Sequence, residues 1–229
     1  MIELDRGKLV KMIDHTELRA NSGAKKINRL CSEARRYGFF AVCVNPLYVP
    51  LCRQELAGSG VLVCSVIGFP LGASTSLGKA AEAREAAAAG AAEIDMVIQI
   101  GALCEGKYDQ VQDDIRRVVE ACQPALVKVI LETCFLNDEE IVRGCELAVS
   151  AGAKFVKTST GFGRFGARPE HVRLIRKTVG PDIGVKASGG IKSLNDAWSM
   201  IEAGASRLGI SASVAIVKEL SRSNIPPAS

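Results

Sequence analysis

The chain has 229 residues, 48% of them hydrophobic and 24% charged, with 29 Lys and Arg against 25 Asp and Glu for a formal charge of +4. That balance excludes a disordered chain and a collagen-like repeat, and the mild, dispersed positive charge excludes a nucleic-acid footprint while leaving room for a small anionic ligand. Along the chain, short apolar or β-branched runs at 11–16, 39–45, 61–68, 93–98, 125–132, 155–160, 183–189 and 207–211 read as eight strands with helical patterns between them. Strands that alternate with helices pair in parallel through right-handed crossovers. Eight such units in a chain of this length predict an α/β fold, a single (β/α)8 TIM barrel over 1–229. Between the strands, the Ala-rich stretch 79–89 has high helix propensity, and Ser193 with Asp196 resembles a capping box.

The longest apolar stretches, such as 61–67, are strand-sized, far short of the roughly 20 residues of a membrane span. The first residues, Met-Ile-Glu-Leu-Asp-Arg, do not form a secretory signal, so a cytoplasmic location without membrane association is expected. Eight cysteines contain no C-x-x-C pair and read as reduced thiols inside apolar runs. His15 and His171 are the only histidines, too few for a His-rich zinc site, so neither metal nor cofactor is expected.

An internal repeat sharpens the barrel. Ala-Gly-Ala ends helices at 89–91, 151–153 and 203–205, each just before a strand, and Gly38 ends a helix in the same way. Five residues beyond these glycines stand Cys43, Asp95, Lys157 and Gly209, on the second, fourth, sixth and eighth strands. Alternate strands of a barrel share interior layers, so these four are predicted to form one layer. A layer holding a lysine, a carboxylate and a position without a side chain resembles the floor of an active site, not a hydrophobic plug.

Lys157 and Lys186 each sit inside an apolar strand, and the two strands are adjacent. An ammonium taken out of water either pairs with a carboxylate or loses its proton and becomes nucleophilic, and a second cation nearby favours the latter. Each lysine could also snorkel to the rim. Asp95 reads as a counter-ion to either lysine and as a proton shuttle, two compatible roles. Asp14, His15 and Thr16 end the first strand, where barrels place binding loops, although local hydrogen bonding there is an equal alternative and His15 is not assigned as a catalyst. Ser188-Gly189-Gly190-Ile191 and Gly209-Ile210-Ser211 follow the seventh and eighth strands, a recurrent place for backbone N–H groups to hold phosphate. Gly161 lets backbone approach the same anion.

The segments Asp14-His15-Thr16, Val66-Ile67-Gly68-Phe69-Pro70-Leu71-Gly72, Glu93-Ile94-Asp95-Met96-Val97, the run from Phe155 through Lys157, Thr160 and Gly161 to Phe162, and Val185-Lys186-Ala187-Ser188-Gly189-Gly190-Ile191 resemble deoxyribose-phosphate aldolase, in order along nearly the whole chain. The resemblance implies a cofactor-independent class I aldolase acting on a small phosphorylated sugar. In it, Lys157 would form the Schiff base, Lys186 would lower the proton affinity of Lys157, and Asp95 would relay protons. Gly161, Gly189, Gly190, Gly209 and Ser211 would surround substrate phosphate, with Asp14, Thr16, Cys43 and Thr160 as secondary candidates. A homo-oligomer is compatible with the resemblance. The chain departs from the family at Ile210, where a threonine is usual, and at Ser213, where a glycine is usual, so the phosphate grip is expected to rest on backbone groups. No terminal tyrosine closes the sequence, and no tail contribution to the site is expected.

Overall fold

The computed structural model describes residues 6–223, so the tail of the chain lies outside the described residues. All eight predicted strands form: β1 (Ile13–Glu17), β2 (Ala41–Val44), β3 (Leu62–Ile67), β4 (Glu93–Val97), β5 (Leu126–Ile130), β6 (Phe155–Lys157), β7 (Gly184–Ser188) and β8 (Arg207–Ile210). They pair in parallel in sequence order, and β8 closes on β1 to complete a barrel. A short helix, α1 (Arg6–Val10), precedes β1. The connections carry α2 (Ala24–Tyr37), α3 (Val49–Glu55), α4 (Ser76–Ala88), α5 (Ile100–Cys104), α6 (Tyr108–Ala121), α7 (Asp138–Ser150), α8 (Pro169–Val179) and α9 (Leu194–Glu202), and α10 (Ser213–Ser223) follows β8. No helix among the described residues is long and apolar enough to cross a membrane.

The strands are shorter than their apolar runs because the run continues past the ladder into the loop at the top of the barrel. β6 is the clearest case: its predicted span reached 160, yet ladder pairing ends at Lys157, and Thr158 N–H turns to the carbonyl of Lys186 at 3.0 Å. The first strand shifts the other way. It begins two residues later and ends one residue later than expected, and Asp14, His15 and Thr16 lie within β1 as expected.

Side chains alternate across the sheet, so each strand sends one set outward and the other inward. The outward set, including Val42, Ile94, Val129, Val156, Val185 and Leu208, packs with the helices into the main hydrophobic core. The glycines predicted to end helices do so: Gly38, Gly90, Gly152 and Gly204 all have positive φ, between 70° and 107°, a region that costs other residues a Cβ clash. The capping box at α9 is present, with Ser193 Oγ accepting from Asp196 N–H at 3.1 Å and Asp196 accepting in return from Ser193 N–H at 2.9 Å. These caps fix where each helix stops and therefore the phase in which the next strand enters the barrel.

Candidate active site

The inward set is charged. On β4, Asp95 Oδ2 accepts from Lys157 Nζ at 2.8 Å and from Lys186 Nζ at 2.7 Å, while its Oδ1 accepts from Lys128 Nζ at 2.7 Å. On β1, Asp14 Oδ2 accepts from Lys186 Nζ at 2.5 Å and its Oδ1 from Arg207 at 2.9 Å. Glu93, two residues before Asp95 and so on the same face, pairs with Lys128 at 2.7 Å and with Arg207 at 3.1 Å. All seven groups are buried. Lys157 and Lys186 are directly opposed in the β6–β7 register and share one carboxylate oxygen.

Burial by itself would raise the carboxyl of Asp95, but Lys128, Lys157 and Lys186 outweigh it and hold that group well below the usual range. Asp14 is likewise lowered, because Lys186, Lys128 and Arg207 overcome its burial. Lys186 shows the mirror image: burial acts to deprotonate it, yet Asp14 and Asp95 hold it well above an ordinary lysine. Of the two fates open to a buried strand lysine, Lys186 has taken the paired one.

Of the predicted layer of Cys43, Asp95, Lys157 and Gly209, the first three meet at Asp95, and Gly209 borders Lys186. Cys43 Sγ lies 3.9 Å from Asp95 Oδ2, and Cys64 Sγ on β3 lies 3.1 Å from Oδ1. Cys43, Cys64 and Asp95 are close enough together to hold a cation, and the positive charge beside them belongs to the ammonium groups of Lys128 and Lys157. Gly209 is open for a reason: a Cβ there would stand 3.1 Å from Lys186 Cε and 2.8 Å from Ser188 Cβ.

Above the charged cluster opens a cleft of about 540 Å³. Thr16, Lys157, Thr160, Gly161, Gly189, Gly190, Gly209 and Ser211 line it. Asp14, Cys43, Asp95 and Lys186 are not part of this lining: Asp95 joins it through Lys157, Cys43 and Lys186 contact Asp95, and Asp14 contacts Lys186. Gly161, Gly189 and Gly190 all have positive φ, and Gly166 passes so close to Gly189 that a Cβ at 166 would fall 2.2 Å from its carbonyl. The loops after β6 and β7 are therefore packed backbone on backbone. Two departures from the family motif also find their places. Ile210 is buried in the outer core and does not line the cleft, and Ser213 Oγ donates to the Ile210 carbonyl at 2.9 Å and meets His15 Nδ1 at 3.0 Å. His15 pairs on its other side with Glu33, outside the barrel interior.

Sequence reasoning passed over Lys128, Glu93 and Arg207. The signal for Lys128 was the one used for Lys157 and Lys186, a lone lysine in an apolar strand, here Leu126-Val127-Lys128-Val129-Ile130. Glu93 was legible from its two-residue spacing to Asp95.

Comparison with known proteins is consistent with this geometry. A family model described as DeoC/LacD family aldolase matches residues 8–218. A deoxyribose-phosphate aldolase of Bacillus cytotoxicus is 57% identical over 210 residues, covering 91% of this chain and 94% of the relative, and one of Bacillus mycoides is 58% identical over the same shares. Among solved structures, a protein from Coccidioides immitis superposes with a TM-score of 0.92 at 44% identity, covering 95% of this chain and 87% of that one. The Aeropyrum pernix deoxyribose phosphate aldolase, described as tetrameric, gives a TM-score of 0.89 at 33% identity, covering 95% and 92%. With the family model spanning nearly all of the described residues and curated relatives more than half identical to it, the chain belongs to the DeoC/LacD family of aldolases.

Proposed function

We propose that this protein is a class I aldolase that reversibly cleaves 2-deoxy-D-ribose 5-phosphate to acetaldehyde and D-glyceraldehyde 3-phosphate, with Lys157 as the Schiff-base lysine. One observation carries the assignment of the nucleophile. The buried cluster contains four basic groups, Lys128, Lys157, Lys186 and Arg207, against three carboxylates, Asp14, Glu93 and Asp95. Its charges balance when one basic group is neutral, and Lys157 is the basic member that lines the cleft.

The chemistry follows from that position. The Lys157 amine adds to the C1 aldehyde, and loss of water leaves a protonated imine. A base removes the C3 hydroxyl proton, the C3–O bond becomes a carbonyl, and the C2–C3 electron pair moves into the iminium to leave an enamine. D-Glyceraldehyde 3-phosphate departs, the enamine takes a proton at C2, and water releases acetaldehyde and regenerates the amine. Asp95, hydrogen-bonded to Lys157, is the group that moves these protons through water, and Lys186 and Lys128 stay paired with Asp95 while the Lys157 nitrogen is bonded to substrate. The anion is held by the backbone around Gly161, Gly189, Gly190 and Gly209, with the hydroxyl of Ser211. All eight cysteines are free, which supports a reducing, cytoplasmic setting, and a homo-oligomer is part of the reading.

The test is reductive trapping. Acetaldehyde with borohydride should add one ethyl group, found by peptide mapping at Lys157, and Lys157→Leu should abolish both labelling and turnover. A label confined to Lys186 would reverse the two lysine roles, and turnover by a folded Lys157→Leu variant would exclude the mechanism.

A further inference from the structure

Glu132 is the single described non-glycine residue with positive φ, at φ 57° and ψ 64°, just past the end of β5. A side chain in the left-handed region costs roughly 1–3 kcal/mol and persists only where the surroundings enforce it. Glu132 is 2% exposed, yet no Lys or Arg among the described residues forms an ion pair with it. A buried carboxylate without a cation is expensive, and its compensation is a set of hydrogen bonds from neutral donors.

Those donors all belong to two turns at the top of the barrel. Oε2 accepts from the Thr160 hydroxyl and from Thr160 N–H at 3.2 Å, and Oε1 lies 3.7 Å from Cys134 Sγ. The Thr160 hydroxyl oxygen in turn accepts from Phe162 N–H at 3.0 Å. This chain of bonds spans Gly161 and fixes the conformation of the turn after β6. The same turn passes directly over the carboxylate, since a Cβ at Gly163 would meet Cys134 Sγ at 2.6 Å and Glu132 at 3.2 Å.

We propose that Glu132 is a positioning residue that holds the Thr160–Phe162 turn in the shape that presents its backbone to substrate phosphate. Glu132 neither lines the cleft nor contacts Lys157, so it acts through the turn. An acceptor-only group is required there, because two oxygens must receive N–H, O–H and S–H donors together. A glutamine offers one oxygen and turns an NH2 toward a donor. The inference rests on the reading of the β6 and β7 loops as the phosphate cradle.

The experiment compares kcat/KM for 2-deoxyribose 5-phosphate with that for unphosphorylated 2-deoxyribose, alongside the rate of acetaldehyde trapping by borohydride, in the parent, Glu132→Gln and Thr160→Val. Glu132→Gln is expected to lower the preference for the phosphorylated sugar by about tenfold, chiefly through KM, the size of one lost hydrogen bond to a charged acceptor, while trapping stays within about twofold. Thr160→Val, which removes the hydroxyl donor and leaves the carboxylate, should lower the same preference, and it carries the test if Glu132→Gln does not fold. An unchanged preference in both folded variants overturns the proposal, as does a parallel loss of trapping, which would make Glu132 a support of Lys157. A raised preference in Glu132→Gln also overturns it, because Glu132 would then act only as a charge repelling phosphate. A parent with no preference for the phosphorylated sugar removes the cradle reading itself, and the role of Glu132 with it.

Discussion

Position 210 shows how far one residue's direction matters. Strand alternation puts Gly209 inside the barrel and therefore Ile210 outside, where it is 1% exposed in the main core. The family's usual threonine at this position would point its hydroxyl into that apolar layer and not at the anion. Ile210→Thr is accordingly expected to leave the preference for phosphorylated over unphosphorylated deoxyribose within about twofold, while costing about 1–3 kcal/mol of stability through the lost methylene and the buried hydroxyl. Steady-state kinetics and urea unfolding of the same variant check both halves. A clear rise in phosphate preference would mean that the side chain reaches the cleft. Strand alternation makes this face legible in the sequence, since Ile210 directly follows the inward-facing Gly209.

At the scale of elements, the site depends on how two loops cross. The turn after β6 and the turn after β7 meet where Gly166 packs on Gly189, and Ala167 N–H donates to the carbonyls of both Ser188 and Gly189 at 3.0 Å. Because the obstacle to a side chain at 166 is backbone, no rotamer change relieves it. Gly166→Ala should therefore push the loops apart and reduce kcat/KM for the phosphorylated sugar by about tenfold or more, with a smaller effect on acetaldehyde trapping at the proposed Schiff-base lysine, Lys157. Trapping that fell in step with turnover would show that the crossing also supports the end of β6 that carries Lys157. The helices play a different part. Their glycine caps were readable from the Ala-Gly-Ala repeat, and they gave the five-residue count that brought Asp95 and Lys157 to one layer. The count could not show that the run 155–160 leaves the ladder at Lys157, because the hydrogen bonds that capture Thr158 and Thr160 come from Lys186 and Glu132, on other strands and loops.

For the whole molecule, the interior charge cluster ties stability to pH from both sides. Asp14 and Asp95 have folded-state values below those of the unfolded chain, so their contribution is complete above about pH 4 and is lost as the pH falls further and the unfolded chain takes up protons. His15 is lowered by its burial, which outweighs the pull of Glu33, so a smaller loss begins as pH falls below about 6.5. Lys186 lies on the opposite side: its folded-state value is raised, so its contribution is complete below about pH 10 and is lost as pH rises through the folded value. Urea midpoints should thus be level between about pH 7 and 9, decline gently toward pH 5 and fall steeply below pH 4. A midpoint that holds from pH 5 to 3 would mean that the acid pairs contribute nothing net to the fold.

The sequence by itself determined the eight-unit barrel, the shared layer of Asp95 and Lys157 and the presence of Lys186 inside an apolar strand, because strand period, helix caps and strand lysines are local signals. Only the tertiary structure decided which charges meet. Asp14 reaches Lys186 across 172 residues of sequence, and Lys128, Glu93 and Arg207 complete a cluster whose surplus of one cation is visible only when all seven groups are counted together. Closure of the barrel brings β1 beside β8 and sets side chains from distant strands at ion-pair distance, and no local pattern encodes that proximity. The same reason hid Glu132, whose partners lie on the loop after a neighbouring strand and whose unusual backbone follows from the contacts that enforce it.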